Sequence, residues 1–321
     1  MSSTAPSFGD IRDAAARIAA HVRRTPLRRA AALSARLGAD VFLKCENLQA
    51  AGAFKSRGAC NAVFSLDEAV AARGVATHSS GNHAAALARA ARRRGIPAWV
   101  VMPRNAAAVK RAAVQEQGAT IVDCEPTLAA REAAAAELVV RTGAEFVHPY
   151  DDLRVIAGQG TAILEVAGEG LSPSLVLTPV GGGGLLSGTA IATRALWPGA
   201  SVVGAEPAGA DDAARSFAAG RRVRQTDPRT LADGLRGELS ERTFELIRRH
   251  VDAIVTVSEA GILEAMRVVW RDLGMLIEPS SAVPVAALLE ERARGPGGAI
   301  VVIVTGANVD PALAREVTGG A

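Results

Sequence analysis

The chain has 321 residues, 49% hydrophobic and 21% charged, with a net charge of +3; that balance fits a soluble globular protein with room for two lobes of roughly 100–200 residues each. Aromatic residues make up only 3%, too few rings for base stacking, and the basic residues are scattered, so no nucleic-acid partner is expected. No run of about 18 apolar residues offers a membrane span and no basic segment followed by an apolar run opens the chain, so a cytoplasmic protein without a membrane partner is expected.

The first predicted element is a helix opening at Ser7-Phe8-Gly9-Asp10, with Ile11, Ala14, Ala15, Ile18 and Ala19 at helical spacing. Apolar or β-branched runs at residues 41–43, 74–77, 98–101, 120–122, 175–177, 202–205 and 300–304 then alternate with alanine-rich helical stretches. Strands separated by helices of ten or more residues make parallel sheets covered on both faces. A compact βαβαβ lobe is expected around residues 75–125, and a second sheet from about Leu175. Arg92-Arg93-Arg94 reads as the solvated end of a helix, and residues 221–229 as a surface connection. Cys45, Cys60 and Cys124 form no C-x-x-C pair and read as small, reduced, buried side chains.

In such sheets chemistry collects where strands end and helices begin. Four segments have that placement. "GAFKSRGA" holds Lys55, one of only three lysines (Lys44, Lys55, Lys110) among 36 basic residues. A lysine offers a carbonyl an amine that arginine cannot. "HSSGNHAAA" begins a helix with hydroxyls and an amide, either as caps or as partners for a carboxylate and a phenolic oxygen. Gly181, Gly182, Gly183 and Gly184 follow an apolar strand, and their unshielded N–H groups make an anion site. G-x-G-x-x-G fails because Leu186 or Ser187 stands where the last glycine belongs, which argues against a nicotinamide-dependent dehydrogenase and for a single phosphate. "IVTGANVD" ends the most hydrophobic strand with Thr305, whose hydroxyl suits a ring nitrogen. Amine, phosphate cradle, carboxylate loop and ring-nitrogen partner together describe a pyridoxal phosphate site.

These segments resemble the fold-type II pyridoxal-phosphate enzymes, in the branch of serine/threonine dehydratases and serine racemases. "KCENLQAAGAFKSRGA", "THSSGNHAAALA", "VIAGQGTAILEV", "PVGGGGLLSG", "GAEPAGADDA", "LADGL", "LIEPSSAV" and "VTGANVD" carry the resemblance from about residue 25 to 312. It implies a two-lobed α/β fold like the tryptophan synthase β chain, each lobe a largely parallel twisted sheet covered by helices. Residues 1–50 and 150–321 would form the larger, cofactor-binding lobe. Residues 51–149, with a core at 74–149, would form the smaller one. A homodimer is expected.

The resemblance also implies roles. Lys55 is the Schiff-base lysine and proton-abstracting base, with Phe54 beside the cofactor ring. Asn82 bonds the phenolic oxygen, the four glycines hold the phosphate, and Thr305 faces the pyridine nitrogen. Ser79, Ser80, Asn82 and His83 bind the substrate, and Ser80 matches the opposite-face acid/base of serine racemases. Glu206, the Ala210 carbonyl and Asp212 match that branch's divalent-cation site, suited to Mg²⁺ or Ca²⁺; read without the family they form an acidic surface loop. Ala50 stands where animal serine racemases have a lysine near ATP, and no residues remain after about 320 for a regulatory domain, so neither nucleotide activation nor isoleucine feedback is expected. Ala53, Ala84 and Ala307 replace small family residues and narrow the pocket.

The expected reaction is loss of the β-hydroxyl from L-threonine or L-serine, giving a 2-oxo acid and ammonia, with racemase side activity. Serine racemase and 3-hydroxyaspartate dehydratase are the alternatives; a β-replacement synthase and a non-catalytic pyridoxal-binding protein are weaker ones. Arg131, in "LAAREAA", reads as a solvated helix arginine, with contact to the second carboxylate of 3-hydroxyaspartate as the other reading.

Overall fold

The computed structural model describes residues 5–295 and 297–319. Its strands, in chain order, are β1 (Leu27–Arg29), β2 (Val41–Cys45), β3 (Val75–His78), β4 (Ala98–Pro103), β5 (Thr120–Cys124), β6 (Glu145–Phe146), β7 (Pro173–Pro179), β8 (Ser201–Pro207), β9 (Ala253–Val257) and β10 (Ala299–Val304). They form a larger sheet ordered β1-β2-β10-β7-β8-β9 and a smaller one ordered β5-β4-β3-β6. Every pairing is parallel except β1 with β2. The two-sheet α/β expectation is met. Among the described residues, no helix is long and apolar enough to cross a membrane.

Local sequence accounts for most elements. The first helix, Phe8–Ile18, opens on a capping box in which Ser7 Oγ accepts from the Asp10 N–H at 3.1 Å and Asp10 accepts from the Ser7 N–H at 2.7 Å. The unbroken apolar run of β10 lies between β2 and β7, where both faces of a parallel strand are covered. Strands β1, β6 and β9 were not expected from the sequence. β1 is three residues, Leu-Arg-Arg, and becomes a strand only through its partner β2. The three cysteines are buried and unpaired, as expected. Arg92 and Arg93 are exposed at a helix end, but Arg94 is half-buried and bonds the Leu66 carbonyl and Glu68.

Three helices meet almost backbone to backbone. They are Lys55–Phe64, Leu153–Ala167 and Gly184–Leu196. A Cβ on Gly158 would lie 2.6 Å from Gly58 Cα, and one on Gly160 would lie 2.7 Å from the Gly188 carbonyl oxygen. Alongside, Arg57 pairs with Glu46 and Glu165 at 2.7 Å each, and Lys44 also pairs with Glu165. Lys44, Glu46 and Arg57 have side-chain exposures of 1%, 0% and 1%, so each charge depends on its partners for the solvation it has lost. This contact fixes the start of the Lys55 helix relative to the start of the glycine-loop helix.

Gly158→Ala pushes against backbone, which cannot swing away as a side chain could. We expect it to lower stability by about 1–3 kcal/mol, the usual cost of overpacking, measured as a lower denaturant midpoint; an unchanged midpoint would contradict the contact.

Candidate active site

The carboxyl ends of β3, β7 and β10 and the start of the Lys55–Phe64 helix converge on one cavity of about 550 Å³. Phe54, Lys55, Ser79, Ser80, Asn82, His83 and Thr305 all line it, as do Gly181, Gly182, Gly183 and Gly184. Lys55 and Thr305, 250 positions apart in the chain (55 to 305), are thereby brought together. This is the crevice at strand ends where α/β sheets bind ligands.

The three lysines now separate. Lys44 belongs to the buried ion cluster, and Lys110 pairs with Asp233 at 2.5 Å across the cavity edge. Lys55 has no carboxylate within ion-pairing distance among the described residues; its Nζ donates to the Pro149 carbonyl at 2.7 Å and lies 5.1 Å from the centre of the Phe54 ring. Burial pushes its pKa down to about 8, against the opposing pull of the Glu278 charge. A substantial fraction of the amine is therefore neutral near physiological pH, the form that acts as nucleophile and base.

The glycine loop is built for bare backbone. Gly183 adopts φ +84° and no side chain caps the helix that begins at Gly184. A Cβ on Gly182 would meet the Tyr150 ring at 2.3 Å, and one on Gly184 would meet the Tyr150 carbonyl at 2.8 Å. Successive N–H groups at a helix N-terminus remain for an anion.

The SSGNH segment does not cap its helix with a side chain. The helix Asn82–Arg94 follows Gly81 without a capping side-chain bond. The Asn82 amide instead donates to both Glu278 oxygens at 3.0 and 3.1 Å and accepts from the Asn308 amide at 2.8 Å. Ser79 Oγ accepts from the Gly81 N–H at 3.3 Å, whereas no partner holds the Ser80 hydroxyl among the described residues. His83 is buried, with Nε2 3.4 Å from the Val147 carbonyl, and burial lowers its pKa well below the ordinary value, so it is neutral. Thr305 Oγ1 pairs with Ser281 Oγ at 2.8 Å. It is a neutral hydroxyl at the end of β10.

Several cavity residues escaped the sequence reading. Glu278 is buried, and burial raises its pKa to about 7; the single acid inside "LIEPSSAV" was the available signal. Tyr150, against the glycine loop, gave no signal at all. Two expectations need correction. Residues 221–229 are not merely a surface connection, because Arg224, Gln225 and Pro228 line the cavity. Arg131 is not a freely solvated helix arginine: it is half-buried, lines the cavity and has no ion-pair partner among the described residues. Helical spacing places Arg131, and loop-like composition places residues 221–229, at the surface, because neither registers which cavity a distant segment will line.

Glu206 and Asp212 lie apart from this cavity and are both buried, which overturns their reading as an exposed acidic loop. Glu206 accepts from the Ala213 and Ala214 N–H groups, and Asp212 Oδ2 accepts from the Leu239 N–H at 3.2 Å. Asp212 Oδ1 is buried without any hydrogen-bond partner. Burial pushes Glu206 up to about 9 and Asp212 up to about 6. Two neighbouring buried acids with an unsatisfied oxygen fit a cation that would supply the missing charge.

Comparison with known proteins agrees with this geometry. The family model described as "Pyridoxal-phosphate dependent enzyme" matches residues 18–306. The chain is 48% identical over 305 residues to the beta-hydroxyaspartate dehydratase of Paracoccus denitrificans, covering 95% of this chain and 97% of that one. Maize serine racemase superposes with a TM-score of 0.94 at 41% identity, covering 97% and 96% of the two chains. The serine racemase of Dictyostelium discoideum superposes at 0.91 with 42% identity, covering 96% and 100%.

The amine of Lys55 and the uncapped glycine loop line the same cavity, which suits an aldehyde that also carries a phosphate. If burial sets the amine near pKa 8, covalent capture of pyridoxal phosphate by the apoprotein should speed up as pH rises through about 8, because deprotonation releases the nucleophile. Borohydride trapping followed by mass spectrometry reads this, with Lys55→Ala as the blank; modification of Lys44 or Lys110 instead would overturn the assignment.

Proposed function

The chain belongs to the family of pyridoxal-phosphate dependent enzymes, and from that premise we propose that it is an ammonia-lyase acting on 3-hydroxyaspartate, releasing oxaloacetate and ammonia. The observation that carries the substrate choice is Arg131, a cavity-lining guanidinium without a carboxylate of its own. A second substrate carboxylate is the natural partner for an unpaired arginine in a partly desolvated site. The similarity to a beta-hydroxyaspartate dehydratase at 48% identity supports the same choice over L-threonine or L-serine.

In this reading Lys55, the cofactor-bearing lysine, is also the base that takes the α-proton, its amine kept partly neutral by burial. Pyridoxal phosphate, when bound, supplies the electron sink that makes this proton acidic. The N–H groups of Gly181, Gly182, Gly183 and Gly184 would hold the phosphate, and Phe54 would pack beside the ring. Asn82 would donate to the phenolic oxygen. Thr305 would present a neutral hydroxyl, already paired with Ser281, to the ring nitrogen. Ser79, Ser80 and the start of the Asn82–Arg94 helix receive the α-carboxylate, with neutral His83 behind them. The unpartnered Ser80 hydroxyl supports a further role as proton carrier on the opposite face and hence some racemisation. Water is lost from the substrate and regained by the released product, so the net change is hydroxy-amino acid to 2-oxo acid and ammonia.

The deciding assay follows 2-oxo acid release from the stereoisomers of 3-hydroxyaspartate, L-serine, L-threonine and D-serine. A higher kcat/KM for L-serine or L-threonine would defeat the substrate assignment. Arg131→Met should lower kcat/KM for 3-hydroxyaspartate about 10- to 100-fold, the loss of a charged hydrogen bond, while activity toward L-serine changes little. Equal losses on both would remove Arg131 from substrate recognition.

Glu206, the Ala210 carbonyl and Asp212 are proposed to hold Mg²⁺ or Ca²⁺. A ligand that binds only the folded state raises the melting temperature, so either ion should do so in the native protein and not in Asp212→Asn. No shift in the native protein would remove the cation site.

A further inference from the structure

Glu278 belongs to a closed hydrogen-bond ring that joins the start of one helix to the end of β10. Both of its oxygens accept from the Asn82 side-chain amide, and Oε2 also accepts from the Asn308 N–H at 3.2 Å. Asn308 completes the ring by donating its own amide to Asn82 Oδ1 at 2.8 Å, and it is braced by the Ala51 carbonyl at 3.1 Å. The fold makes room for this carboxylate: a Cβ on Gly306 would sit 2.7 Å from it.

The two ends of an asparagine amide are nearly the same shape, so only their partners decide which end faces where. At Asn82 an acceptor, Glu278, holds the nitrogen, and a donor, Asn308, holds the oxygen. The nitrogen carries two hydrogens, and the carboxylate engages the side facing it. We propose that Glu278 is a positioning residue that, together with Asn308, locks the Asn82 amide so that an N–H rather than the carbonyl is offered to the cofactor's phenolic oxygen. A flipped amide would bring its carbonyl dipole against an anionic oxygen. This inference rests on the cofactor placement proposed above.

The test measures the dissociation constant of pyridoxal phosphate, alongside its bound absorbance spectrum, for Asn82→Ala, Glu278→Gln, Asn308→Ala and the two double variants containing Asn82→Ala. Glu278→Gln can orient either way and is expected to weaken binding about 10-fold, the scale of one charge-assisted hydrogen bond. In the Asn82→Ala background neither second change should weaken it further, because the group they orient is gone. Additive losses, or a native constant for Glu278→Gln, would overturn the inference. Asn308 is exposed, so Asn308→Ala keeps the test open if the buried change prevents folding: a loss present alone and absent beside Asn82→Ala supports the lock, and any other pattern overturns it. Native binding by Asn82→Ala itself would instead defeat the underlying cofactor placement, and the lock with it.

Discussion

The near-contact of backbones at Gly58, Gly158, Gly160 and Gly188 is the constraint on which the site depends. It lets three helices approach more closely than any side chain would permit. Lys55 begins one of these helices and the glycine loop leads directly into another. Their relative placement is thus set by main-chain packing, the stiffest contact a protein has. The buried cluster of Lys44, Glu46, Arg57 and Glu165 braces the same junction. Such a cluster is a poor source of stability, since desolvation offsets much of its attraction. Its use here is geometric, because Arg57 reaches both glutamates only when the helices are correctly seated.

Charge in the cavity follows from what each group lacks. Lys55 has a carbonyl partner and no paired carboxylate, so burial lowers its pKa. Glu278 is buried with amide partners, so burial raises its own. The two shifts move an acid and a base toward each other, a pattern common at catalytic sites. Arg131 lines the same cavity with no carboxylate paired to it among the described residues. An amine, a carboxyl group and a guanidinium thereby share one crevice.

Much of this was legible from residue order. Alternation of apolar runs and alanine-rich stretches gave the two parallel sheets, and the quoted segments pointed to one site and one cofactor. Arg131 and residues 221–229 were misread because helical spacing and loop-like composition describe an isolated segment, not what later packs beside it. Glu206 and Asp212 were misread, without the family, because acidic side chains are ordinarily exposed and nothing local shows that these two are buried. β1 shows the limit for secondary structure: Leu-Arg-Arg has no strand character apart from its register with Lys44, Leu43 and Phe42.

The sequence by itself determined the class of fold and singled out one lysine and one glycine loop as candidates, because each depends on local features: strand and helix periods, a rare lysine, four consecutive glycines. Only the tertiary structure decided which of three lysines stands unpaired and which arginine lines the cavity. It also decided which way an asparagine amide points. Those outcomes depend on partners far apart in the chain, 226 positions for Asn82 and Asn308, and solvation and hydrogen-bond direction exist only once such partners have met.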